Sequence, residues 1–120
     1  MGQNIIGKME YQSVLAGDFP RSTLPVIMAA GAKYPAGAVV GKATADAKCA
    51  LVDSSKSDGT QTVYGVLLHE VDATDADTPG IISLTGEFNR NHVAFGGSDT
   101  WETHYEAARG LCIFFKEPAP

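Results

Sequence analysis

Apolar residues fall in short bursts along this chain, divided by clusters of Gly, Pro, Asp and Ser. That rhythm predicts strands, because bursts too short for several helical turns still suffice to cross a sheet. Strands are expected at 26–30, 38–44, 48–52, 63–68, 81–85 and 92–95, with a terminal one at 110–115. Tyr34-Pro35-Ala36-Gly37 has Pro in second place and Gly in fourth, the signature of a type I turn. Gly41 inside its strand predicts a bulge or a close backbone approach. Asp58-Gly59 marks a turn, and the acidic stretch 69–80 reads as a long loop. One segment has a helical period instead. Asp99 is placed to cap it, and Glu102 follows at capping-box spacing. Trp101, Tyr105 and Ala108 then form one apolar face. Arg109 suits the negative end of the helix dipole, and Gly110 is positioned to end the helix.

Residues 1–25 have a different texture from residues 26–120. They show no sustained period, and Pro20 and Pro25 close them, yet they carry Ile5, Ile6, Met9, Tyr11, Val14, Leu15 and Phe19. A solvated tail has no use for so many large apolar groups. The segment is expected to be an extended arm whose apolar side chains dock on a neighbour or partner. The expected organisation is an arm at 1–25 followed by one mainly β domain at 26–120.

Composition narrows the function. At 120 residues, 44% hydrophobic and 19% charged, the chain is the size of one ordinary globular domain. Its formal charge is −5 and its nine Lys and Arg are scattered, so no cationic surface for nucleic acid is expected. Basic residues outnumber acidic five to three over 1–48; acidic outnumber basic eleven to four beyond that. No apolar run of the length a membrane helix needs appears, nor does a secretory leader pattern.

Candidate chemistry is sparse. Gly37 and Gly41-Lys42-Ala43 superficially suggest a phosphate-binding loop. Their spacing is one residue short, however, and Ala43 stands where a hydroxyl is needed. His69, His92 and His104 have no metal-ligand spacing, and Asp72, Asp75 and Asp77 lack the Gly turn and distal Glu of a calcium loop. No nucleophile has an activating partner nearby in sequence, so neither catalysis nor a cofactor is expected. Cys49 and Cys112 lie in apolar runs and are expected as buried thiols, although the sequence leaves open whether they pair.

Several segments taken in order are similar to a known family. They are Leu15-Ala16-Gly17-Asp18-Phe19-Pro20, the strand Pro25-Val26-Ile27-Met28, and the strand from Gly37 to Thr44. Next come Asp58-Gly59-Thr60-Gln61-Thr62, Tyr64-Gly65-Val66-Leu67 and Val71-Asp72-Ala73-Thr74. Leu84-Thr85-Gly86-Glu87-Phe88-Asn89, Phe95-Gly96-Gly97 and the late helix complete the series. Together they resemble the lambda-type bacteriophage head decoration protein family over residues 11–116 or so.

The resemblance implies a β-clip-like fold with one short C-terminal helix and an extended N-terminal arm. It implies a homotrimer on the outer surface of the expanded phage head, without nucleic-acid or membrane partners. The arm would order on the major capsid protein and so stabilise the head, which makes Ile5, Ile6, Met9, Tyr11, Val14, Leu15 and Phe19 the capsid-binding residues. The alternative is a host-surface adhesion role for the exposed face, with Trp101, Tyr105 and Phe88 as its first candidates.

Overall fold

Two apolar clusters lie on opposite sides of one pair of strands, and the rest of the fold is arranged around that wall. The computed structural model describes residues 21–117. Strand β3 (Val39–Lys42) and strand β5 (Gly65–Leu67) pair antiparallel, with Val39 opposite Val66 and Val40 opposite Gly65. Side chains alternate across a strand, so neighbouring residues serve different cores. Val39 and Val66 pack with Val52, Leu68, Phe88, Ile113 and Phe115, whereas Val40 and Leu67 pack with Met28, Cys49, Val71 and Ile82. Burial on both faces explains why these segments read as unbroken apolar runs.

The second cluster fills a closed five-stranded barrel. Around it run β1 (Thr23–Met28), β4 (Cys49–Leu51), β3, β5 and β7 (Thr78–Ser83), with β7 returning to β1. Six residue pairs join β1 and β7 antiparallel, from Thr23 with Ser83 to Met28 with Thr78. Strand β1 begins at Thr23, ahead of the expected start at 26, because Leu24 also packs against the barrel core. Pro25 is tolerated inside it. Leu84 N–H donates to the Ser22 carbonyl at 2.6 Å, so even-numbered β1 residues face β7. Pro25 therefore aims its missing donor at the other side, where β4 meets β1 only at Met28 and Cys49.

The stretch expected to be one acidic loop is partly strand. Val71–Ala73 (β6) pairs with Ala32–Tyr34 (β2), because Val71 and Ala73 both point into the barrel cluster while Asp72 points out. Only 69–70 and 74–77 remain connections. The turn after β2 also shifts by one residue. Ala38 N–H donates to the Pro35 carbonyl, and Gly37 sits third with φ of 89°, which is the type II arrangement.

The first cluster is covered by a second layer. Strand β8 (Gly86–Asn89) pairs parallel with β9 (Ile113–Lys116), and helix α1 (Trp101–Gly110) packs against β9. A two-stranded ribbon is marginal by itself. Here Phe88, Ile113, Phe115 and Ala108 bury its inner face together. The strand expected at 92–95 is instead a turn, with a single bridge from Ala94 to Ala38. Thr100, not Asp99, caps α1, and its N–H donates to Thr103 Oγ1 at 3.1 Å. Gly110 is the last helical residue; the left-handed turn that follows falls on Cys112, at φ 63°. Mainly β with one short C-terminal helix is thus the observed architecture.

Gly41 is held in place by sterics. A Cβ there would lie 2.6 Å from both the Cα and the carbonyl oxygen of Thr60, and backbone cannot move aside cheaply. Gly41→Ala should cost about 1–3 kcal/mol, as overpacking does. Gly110→Ala, whose Cβ meets nothing within 4 Å, should be neutral or stabilising by up to about 1 kcal/mol. Urea unfolding of the two variants checks the contrast.

Candidate interaction surface

The seven residues expected to bind a partner, Ile5 through Phe19, lie outside the described residues. The structure does fix where that segment joins the domain. Ser22 N–H donates to Thr85 Oγ1 at 3.0 Å, and the Arg21 side chain packs over Gly86 at the mouth of the β8–β9 ribbon. The chain therefore enters β1 at the junction between barrel and ribbon.

A groove of about 580 Å³ runs between α1 and the end of the ribbon, lined by Arg90, Trp101, Tyr105, Phe115 and Glu117 among others. The Arg90 guanidinium lies 4.6 Å from the Trp101 ring centre, within cation–π range, and the Tyr105 ring meets Trp101 edge-on. Arg90 also pairs with Glu117 at 3.1 Å, and Lys116 with Glu87 at 3.1 Å. These side chains largely satisfy one another. Phe88, considered with Trp101 and Tyr105 for a binding patch, is 0% exposed and belongs to the core.

Where reactive groups do meet, their connectivity is structural. Asp99 accepts from Ser54 Oγ at 2.7 Å and from Ser54 N–H at 2.6 Å, and its Oδ2 lies 2.7 Å from His104 Nε2. The Asp99 and His104 side chains are only 7% and 5% exposed, and Phe95 stacks on the imidazole. A nucleophilic triad needs the imidazole between hydroxyl and carboxylate. Here the carboxylate stands in the middle, so no imidazole faces Ser54. What the cluster does is tie the 53–56 loop to the first turn of α1.

The acidic run also disperses. Asp72 accepts from Thr74, whereas Asp77 pairs with Lys48 at 2.6 Å and accepts from Ala30 N–H at 2.8 Å. Among the described residues no three His, Cys, Asp or Glu gather as a metal site. Nor is any described helix long and apolar enough to cross a membrane. One thiol differs from expectation. Cys49 is fully buried and burial pushes its pKa up to about 11, but Cys112 is exposed because the left-handed turn after α1 carries it outward.

The described residues form a small β-barrel joined to a helix-backed ribbon, with polar clusters that fasten its loops. The chain belongs to the bacteriophage lambda head decoration protein D family, whose model matches residues 8–112. No curated protein matches it at a significant level. It is accordingly a phage head decoration protein, a structural component associated with the capsid.

Two predictions follow from this geometry. Hydrogen bonds from Ser54, then the contact with His104, hold the Asp99 carboxyl below its ordinary range. Its contribution to stability is therefore complete above the unfolded value of about 3.9 and is lost as pH falls through the depressed one. Asp99→Asn should flatten that acid limb in unfolding curves collected from pH 6 to 2. Separately, a thiol reagent at neutral pH should modify Cys112 at once and Cys49 only after unfolding. Two fast-reacting thiols in the native protein would contradict the burial of Cys49.

Proposed function

We propose that this protein is a cementing subunit that binds as a homotrimer to the outside of the expanded phage head and stabilises it. In this reading the domain is of β-clip type and the capsid-binding arm ends ahead of Thr23, since the last three residues of the segment expected at 1–25 belong to β1. Ile5, Ile6, Met9, Tyr11, Val14, Leu15 and Phe19 pack on the major capsid protein. The observation that carries the reading is the family match across nearly the whole chain. It is supported by the large apolar side chains concentrated ahead of the domain in the sequence.

Physical considerations favour a trimer with arms. Ordering a free segment costs about 1–2 kcal/mol per residue, and burial of an aliphatic or aromatic side chain returns about 1.5–3 kcal/mol. One arm is thus a weak ligand. Three arms on one trimer act at raised effective concentration, and each further engagement multiplies affinity by about 10²–10⁴. A clamp that bridges several capsid subunits resists their separation under the pressure of packaged DNA.

Deleting residues 1–15 should abolish decoration of expanded heads while leaving the domain folded. Co-sedimentation with empty heads, beside circular dichroism of the truncated protein, tests this. Normal decoration by the truncated protein would refute the arm assignment.

A further inference from the structure

Besides the isolated Leu111, the described surface has an apolar cluster that neither core explains. On the outer face of the β1–β7 pair, Pro25 stands opposite Ile81 and Ile27 opposite Pro79. All four are exposed, Ile27 at 42% and Ile81 at 37%. Residues opposite each other in an antiparallel pair share a face, so the four side chains form one continuous patch. They lie on the outer face of the β1–β7 pair in the barrel wall, where a partner meets side chains first.

We propose that this face is a second contact with the capsid protein, the seat on which the folded domain rests once the arm has engaged. The proposal rests on the capsid-binding reading above. Two observations select this occupant. The first is where the chain outside the structure begins: twenty residues lead off from Arg21, just ahead of β1. A partner gripped by that segment is held beside the β1–β7 face at raised effective concentration. The second is size. Four partly exposed side chains fall well short of the roughly 800 Å² per partner that a stable free-standing interface buries. Such a patch adds to a tethered contact but does not sustain a dimer alone. Its stiffness suits the task, since two prolines and two β-branched residues lose little freedom when covered.

The test uses full-length protein and empty expanded heads. Ile27→Thr and Ile81→Thr keep a β-branched residue in each strand while removing apolar surface. Each should weaken decoration about tenfold, and the double variant about a hundredfold, at unchanged mass in solution. If the double variant binds like the unmodified protein while deletion of 1–15 abolishes binding, the seat is refuted and the arm reading stands. If the deletion has no effect, the arm reading itself falls. If the Thr variants lose mass in solution, the face joins copies of this chain and the proposal is overturned. Should a Thr variant fail to fold, Ile27→Cys carrying a photo-crosslinker, in a Cys112→Ser background, answers the same question. An adduct with capsid protein supports the seat; an adduct with a second copy, or none, refutes it.

Discussion

The paired strands β3 and β5 must be apolar on both faces at once, and this constraint organises the molecule. Val39 and Val66 serve one core while Val40 and Leu67 serve the other. A substitution in the wall is therefore felt in the barrel and in the helix-backed layer together. The same wall needs glycine at its margins. Gly41 lies against the Thr60 backbone, and a Cβ on Gly65 would meet the Ile82 side chain at 2.6 Å and the Ser83 carbonyl at 2.9 Å. Two bulk-free positions let the loop after Gly59 and the β7 strand close in on either side.

With the hydrophobic interior shared in this way, the polar groups act as fasteners. Asp58 accepts from Thr60, Asp53 from Ser55 and Asp72 from Thr74, each closing its own short turn. The Ser54–Asp99–His104 cluster joins two loops with the helix, and no buried side-chain polar atom among the described residues lacks a partner. Such an interior is committed to holding shape. That is in keeping with a structural component of a virion.

Much of this was legible in the residues. The runs around Val39–Val40 and Val66–Leu67 announced strands because burial on both faces leaves no polar alternation to confuse them. The helix was legible from Trp101, Tyr105 and Ala108, whose spacing survives whatever the cap turns out to be. The cap itself was not. Asp99 looked like the better cap in isolation, but Ser54, distant in sequence, claims its carboxylate. Strand β6 was hidden by its neighbours, since Asp72, Asp75 and Asp77 give the stretch a loop's composition while only Val71 and Ala73 decide its fate. Strand β8 was hidden because its pairing is parallel and with the end of the chain, a long-range contact with no local signature. Cys112 was misjudged for a related reason: an apolar run says nothing about a positive φ inside it. For the surface, the large apolar residues of 1–19 were visible at once. The Pro25, Ile27, Pro79 and Ile81 patch was not, because it exists only when the β1–β7 register is known.

The junction at Ser22 has a mechanical consequence. A pull applied along β1 enters the domain through Ser22 and its bond with Leu84. The ladder to β7 runs across that axis over six residue pairs, so the bonds are loaded in shear and share the tension instead of opening one after another. A force along β1 thus meets the longest ladder among the described strands, and the strand that begins the described chain is rooted against unzipping from its first residue.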